Sequence, residues 1–326
     1  MVPKKARAGF RSATIVLSML AATAWAQPYP SRPITLVVPY GPGGGVDIVA
    51  RAIQPSLQKT LGVPVIVENK SGAGGSIGAT YVARAAPDGY TLFVTDVGPS
   101  AVYPSLKPDL PYKVGKDLIP VGMVASSSLD LAVSPSLPVG TVSEFIAYAK
   151  AHPGQLNFSS PGNGTIVHMA AELFKLMTQT DMVHIPYKSG AEATTALISG
   201  QVQLSFAQIP LSVPLASTGK LKILGVSSPE RSPLIPNVPT ISEAGVKGYS
   251  VLSWIGILVP GGTPKDIQDK IYQALVAVGK DAALVKSIED RGFDVSITTG
   301  PEFGQLIATD TEKWIRVVKA NNLKAD

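Results

Sequence analysis

Residues 34–51 run ITLVVPYGPGGGVDIVAR, and no other stretch limits the folding of this chain so tightly. An apolar, β-branched run meets four glycines within five positions, and Asp47 then opens an amphipathic helical pattern. That order describes a buried strand turning directly into a helix. The first turn of such a helix has peptide N–H groups without carbonyl partners, and glycines leave them uncovered. The positive end of the helix dipole lies at the same place, so the turn holds an anion without Arg or Lys. The loop at 40–45 offers at most five N–H donors, because Pro42 has none. A turn that uses glycine only for its backbone shape is the plainer reading, but consecutive glycines exceed what one turn needs.

The first 26 residues stand apart. Lys4, Lys5, Arg7 and Arg11 precede an apolar run at 13–26, and Ala24-Trp25-Ala26 offers a cleavage site before Gln27. This is the pattern of a secretory signal peptide cleaved after Ala26, and it predicts a protein exported from the cytoplasm. The apolar run covers 14 residues, short of the roughly 20 that a spanning helix requires. No twin-arginine pair is present, which favours the general secretory route. Without cysteine the chain carries neither a lipid-attachment site nor a disulfide. Four of the 28 Lys+Arg lie in this segment, so 24 remain against 23 Asp+Glu once it is cut. The formal charge of +5 therefore belongs mostly to export, and no basic patch interleaved with aromatics points to nucleic acid.

Removing 26 of 326 residues leaves 300, enough for two domains with cores of their own. Strand and helix signals alternate: a strand at 34–39, a helix at 47–61 stopped by Gly62, and a strand at 65–68. A glycine-rich turn (72–75), a helix at 76–84 and a strand at 91–95 follow. Crossover helices between strands predict a mostly parallel sheet flanked by helices. The same grammar returns further on. Thr141 to Glu144 is a capping box for a helix ending near 152–154. A strand at 156–159, a tight loop at 161–164, helices at 165–179 and 192–199 and a strand at 202–207 follow. Residues 228–239 look like irregular connecting chain, 250–259 like a long strand, and helices are predicted near 265–278, 282–291 and 302–320.

The loop Ser159-Ser160-Pro161-Gly162-Asn163-Gly164-Thr165 thus repeats the first loop's pattern of strand, glycine-rich turn and helix start. Ligands bind at strand ends in open α/β sheets. Two such mouths facing each other enclose a small anion-bearing molecule. Several side chains also have structural readings. Thr165 serves as a helix cap, Asp47 as a partner of its helix dipole, and His168 as a packed histidine.

Other chemistries find less support. Residues 74–78 fit the G-x-S-x-G nucleophile elbow around Ser76, but a strand must run straight into that serine, and loop 69–75 intervenes. Gly41-x-Gly43 with Glu68 imitates a dinucleotide fingerprint, yet Val46 stands at the third glycine and export removes the chain from NAD pools. The three histidines, His152, His168 and His184, show no metal-ligand spacing. No catalytic residue, metal or cofactor is predicted.

Ordered motifs over nearly the whole exported chain resemble the tripartite tricarboxylate transporter receptors, also called the Bug family of periplasmic solute-binding proteins. They include VVPYGPGGGVD (37–47), VENKSGAGGSIGA (67–79), APDGYTL (86–92) and SSPGNGT (159–165). HMAAELF (168–174), VHIPYKSG (183–190), RSPLIPNVPTISEAGV (231–246) and SWIGILVPGGTP (253–264) complete them. The resemblance implies an α/β, type II periplasmic-binding-protein fold, a two-domain clamshell. One domain takes 27–125 plus 250–326 and the other 126–249. It further implies a monomeric receptor that captures a small carboxylate and delivers it to a two-subunit membrane permease. A sensor feeding a signalling partner would share the same binding. The ligand role passes to Tyr40, Pro42, Gly43, Gly44, Gly45, Val46 and Asp47, and to Ser160, Gly162, Asn163, Gly164 and Thr165. Ser100, His168, Ala207 and Gln208 stand nearby. Three positions depart from the resemblance: Val46 where Thr is common, Ala207-Gln208 where Asp-Asn is frequent, and Tyr103 where Asn is common. They disfavour an ammonium or polyhydroxy ligand and favour an apolar or doubly anionic acid, aromatic acids included.

Overall fold

The computed structural model describes residues 28–107, 109–187 and 189–324; the predicted signal peptide and its cleavage site lie outside them. The first strand, β1 (Ile34–Val38), leads into α1 (Gly45–Leu61) and then β2 (Val65–Asn69). Next come α2 (Ser76–Ala83), β3 (Thr91–Asp96), a π-helical turn at Gly98–Val102 and the single turn α3 (Tyr103–Leu106). β1 lies between β2 and β3 with all three parallel, Leu36 standing opposite Val67 and Leu92. Helix α1 forms because Val46, Val49, Ala50, Ile53, Leu57 and Leu61 make one buried stripe, and Gly62 ends it at φ 75°. It begins at Gly45, two residues before the predicted start, so the glycines themselves form its first turn.

The chain then enters β4 (Leu118–Val133), 16 residues long. Its first part pairs antiparallel with β9 (Leu252–Pro260), and Leu129 to Val133 pair with β7 (Leu204–Gln208) and β8 (Lys222–Val226). β4 therefore belongs to both halves of the molecule. In the second half α4 (Val142–Ala151), β5 (Leu156–Ser160), α5 (Ile166–Thr178), β6 (Met182–Pro186), α6 (Gly190–Ile198) and α7 (Ile209–Ser217) surround a parallel trio, β7-β5-β6. The return through β9 adds α8 (Lys265–Lys280), α9 (Ala282–Glu289), β10 (Asp294–Val295) and α10 (Gly300–Ala320) to the first half. Each half is a mixed α/β layer with a parallel heart, and the connecting strands β4 and β9 run antiparallel to their neighbours.

Ser227 ties the two crossings together. Its N–H donates to Leu129 O at 2.8 Å while its Oγ accepts the Leu129 N–H at 2.9 Å. The same hydroxyl donates to Val251 O at 2.7 Å. The last helix, α10, reaches across as well: Asn321 donates to the Glu172 carboxylate on α5 at 2.7 Å. No described helix is long and apolar enough to cross a membrane.

Candidate functional site

The two glycine-rich loops leave the carboxyl ends of β1 and β5, as the α/β pattern requires. In the first, residues Gly41 to Gly44 are exposed and Gly43 adopts φ 86°, a left-handed geometry that favours glycine. Gly44 is the N-cap of α1 with no side-chain cap, so the Gly45, Val46 and Asp47 N–H groups open the helix. Asp47 shapes this mouth from beneath. Its Oδ2 accepts the Gly43 N–H and Arg51 Nε, each at 2.9 Å, and its Oδ1 accepts Asn69 Nδ2 at 2.9 Å. Asn69 also donates to Tyr40 O at 2.9 Å. Burial alone would raise the Asp47 pKa, but the bonds from Arg51, Gly43 and Asn69 outweigh it and hold the pKa below the ordinary value.

Two expectations change here. The Asp47 side chain is only 3% exposed, so it braces the loop and presents no charge to the cleft. Val46 packs into the core with Val49 and Ile53 and offers only its N–H. The missing threonine hydroxyl therefore bears little on ligand choice.

Tyr40 faces the end of β3. Its hydroxyl donates to Asp96 Oδ1 at 2.8 Å, and the Gly98 N–H donates to the same oxygen at 3.1 Å. Burial pushes Asp96 up to about 6, against the lowering effect of these bonds. Ser100, two residues on, is 1% exposed and its hydroxyl lies 2.7 Å from Thr95 Oγ1. It holds the turn together, and the expected ligand contact from its side chain does not fit that position.

The second loop is bonded largely to itself. Ser160 Oγ accepts the Gly162 N–H at 3.1 Å and lies 2.7 Å from His184 Nε2. Thr165 caps α5, accepting the His168 N–H, and donates to Gly162 O at 2.9 Å. Gly164 donates its N–H to His168 Nδ1 at 3.1 Å. His168 is buried, stacked on His184 with centroids 4.0 Å apart, and Phe158 extends the stack. Burial first, then His184 and Lys175, press its pKa down to about 3, so the ring stays neutral and accepts from the loop. His168 thus shapes the loop from behind and does not line the cleft, a correction to the expected contact. The Ile166 and Val167 N–H groups remain at the open end of α5.

The halves meet around these loops. A Cβ placed on Gly45 would stand 3.0 Å from Phe293 Cζ and 3.1 Å from Gln208 Nε2. One placed on Gly164 would stand 2.9 Å from Leu106 Cδ1 and 3.5 Å from Tyr103 Cε2. The amide of Gln208, from the second half, therefore comes down on the first turn of α1, and α3 of the first half comes against the second loop. Ala207, beside Gln208, pairs across the ladder with Asp130. Asp130 is fully buried, accepts from Ser212 Oγ at 3.0 Å, leaves Oδ2 without a partner, and is pushed by burial up to about 8. A carboxyl is thus present on the strand next to Ala207, though enclosed.

Sequence reasoning missed Asn69, Asp96, Phe293, His184 and Asp130. Asn69 and Asp96 are the last residues of β2 and β3, a strand-end position that marks a site once strand bounds are known. Phe293 and Asp130 arrive from distant chain and carry no local signal. Ser76 is the first residue of α2, preceded by a helical turn and not by a strand, so the elbow geometry is missing. The arrangement offers two glycine-rich helix starts whose positively polarised first turns suit holding a carboxylate.

Comparison with known proteins bears on the same region. Residues 49–323 match the model of the tripartite tricarboxylate transporter family receptor. The chain is 35% identical to Protein BugT of Bordetella pertussis over 311 residues, 95% of each chain. An R. palustris protein solved with adipate aligns with TM-score 0.80 and 32% identity, covering 89% of this chain and 97% of that one. MatC from Rhodopseudomonas palustris, with bound malate, aligns with TM-score 0.77 and 35% identity, covering 89% of this chain and 100% of that one.

Proposed function

This chain belongs to the tripartite tricarboxylate transporter family of receptors, and on that footing we propose that it is an exported receptor that captures a small dicarboxylate between its halves. The signal peptide delivers it to the periplasm, and a two-subunit permease takes the ligand from it. The observation that carries this reading is a pair of glycine-rich helix starts at strand ends: α1 opens with no side-chain cap, and α5, capped by Thr165 at the His168 N–H, keeps the Ile166 and Val167 N–H groups at its first turn. One carboxylate seats on the first turn of α1, at Gly44, Gly45 and Val46. The other end of the acid meets the second loop and Gln208. Adipate and malate in the two related structures fit the same chemistry of two anionic ends on a short carbon chain.

Charge-assisted hydrogen bonds contribute about 1.5–3 kcal/mol each, so two or three offset much of a carboxylate's desolvation. Closure follows because an acid that touches both loops binds the closed form better than the open one. The hinge lies where β4 and the chain around Ser227 and Val251 cross, which supports dividing the molecule at about residues 126 and 250.

The test is a thermal-shift screen of residues 27–326 against mono-, di- and tricarboxylates, aliphatic and aromatic. A ligand at a hundred times its Kd adds about 2.7 kcal/mol of stability, and a dicarboxylate is expected to give the largest shift. No shift from any acid, or consumption of the acid by purified protein, rejects the receptor function. A sensor would give the same shift, and capture of its partner from membranes separates the two.

A further inference from the structure

Two carboxyl groups support the first loop, and their surroundings treat them in opposite ways. Asp47 has Arg51 at 2.9 Å and stays an anion. Among the described residues, no cation bonds to Asp96. Its partners are the Tyr40 hydroxyl and the Gly98 N–H, both on Oδ1. The contact is closely packed, since a Cβ on Gly98 would fall 2.6 Å from the Tyr40 hydroxyl. Tyr103 and Tyr112 are the other titratable groups acting on the pair, and both make a phenolate there less favourable.

The elements around β3 supply no further charge. β1 and β9 contain no ionisable side chain. On α1, Asp47 is taken by Arg51. On α2, Tyr81 lies under Lys70, which is itself paired with Glu68.

We propose that Asp96 is a positioning residue of the binding mouth, holding the first loop through Tyr40 and taking up a proton when an organic acid settles on that loop. The proposal rests on the receptor reading given above. Its physical basis is simple. An anion settling on the loop that begins at Tyr40 adds negative charge one hydrogen bond away from the desolvated Asp96 carboxyl, which the Tyr40 hydroxyl touches at 2.8 Å, and a nearby like charge favours the protonated form. The proton comes from solvent, and Oδ1 goes on accepting from Tyr40 and Gly98 in either state. Burial has already brought Asp96 to about 6 before any ligand arrives, so the uptake falls in the range of periplasmic pH. Affinity for the acid then declines as pH rises between the free and ligand-bound pKa values of Asp96, by up to tenfold per pH unit.

The experiment uses the full exported chain, with adipate and malate as probes, titrated calorimetrically between pH 6 and 8.5 in two buffers of different ionisation enthalpy. The wild type is expected to take up part of a proton per acid bound near pH 7. Asp96→Asn, which keeps the accepting Oδ1, is expected to take up none, to show a flat affinity profile, and to bind more tightly than wild type at pH 8. Tyr40→Phe removes a bond that lowers the Asp96 pKa, so it moves the wild-type inflection to higher pH. An equal loss of affinity in Asp96→Asn at every pH means a purely structural role and overturns the proposal.

A ligand-free arm separates this failure from failure of the receptor function. The Asp96 pKa is raised on folding, so its stabilisation is complete below about pH 4 and lost as pH rises through about 6. Asp96→Asn should therefore gain in Tm relative to wild type across that window. A Tm difference that does not change with pH overturns the proposal whether or not an acid binds. The expected Tm change with no binding of either probe rejects the coupling to these acids, while the receptor function stands or falls with the wider acid screen.

Discussion

Gly45→Ala separates closure from folding. Gly45 lies in the first turn of α1 with ordinary helical backbone, and alanine there gains about 0.5–1 kcal/mol in helix propensity. The new methyl would stand 3.0 Å from Phe293 Cζ and 3.1 Å from Gln208 Nε2, where carbon contacts prefer about 3.5–4.0 Å. Phe293 is 3% exposed and belongs to the same half, so that crowding exists whether the cleft is open or shut and roughly offsets the helix gain. Gln208 comes from the other half, so its crowding is confined to arrangements in which the halves meet as they do in this structure. Overpacking of this kind costs about 1–3 kcal/mol, equivalent to a loss of affinity between about fivefold and about 150-fold. Calorimetric titration with the best acid from the screen should show that loss, while the ligand-free Tm moves by no more than a few degrees. Gly41→Ala is the control, because nothing lies within 4 Å of its Cβ. Wild-type affinity in Gly45→Ala would refute the argument that Gln208 meets the first turn of α1 in the bound state.

Asp47→Ala should destabilise the ligand-free protein by about 2–4 kcal/mol at pH 7, from the lost bonds of Gly43 and Asn69 plus a discounted share for the half-exposed Arg51. Because the Asp47 pKa is lowered on folding, the gap between mutant and wild type should close as pH falls below about 4, which urea titrations at pH 7 and pH 3 would read. Asp130 behaves in the opposite sense. Its pKa is pushed up to about 8, so its stabilisation is whole below about pH 4 and lost as pH climbs to about 8. Asp130→Asn should then gain Tm on wild type between pH 5 and pH 8, and a constant difference across those values would show that Asp130 ionises normally.

The strand-turn-helix units were legible because each carries its own periodicity and punctuation. The run at 34–38, the glycines after it and the stripe from Val46 to Leu61 name β1, the loop and α1 without help from the rest of the chain. β4 was not anticipated, although it is the longest strand. It is buried along most of both faces, so LIPVGMVASSSLDLAV shows no alternation, and its serines resemble a connection. α7 was hidden by Pro210 and Pro214, which suggest irregular chain yet sit in a short helix.

At the site, loop positions were visible but side-chain directions were not. Asp47, Val46, Ser100 and His168 all turn inward, since a glycine-rich mouth needs a scaffold behind it and these residues supply one. That scaffold draws on Asn69, Arg51, His184 and Asp96, whose contacts come from other strands and from the next turn of α1. Only the fold brings them together.

The most direct measurement is a crystal structure of residues 27–326 grown with the dicarboxylate that shifts Tm most. One carboxylate is expected within hydrogen-bond distance of the Gly44, Gly45 and Val46 N–H groups, with Gln208 and the second loop reaching the other end. A carboxylate seated elsewhere, or held chiefly by an Arg or Lys side chain, would contradict capture by the helix starts.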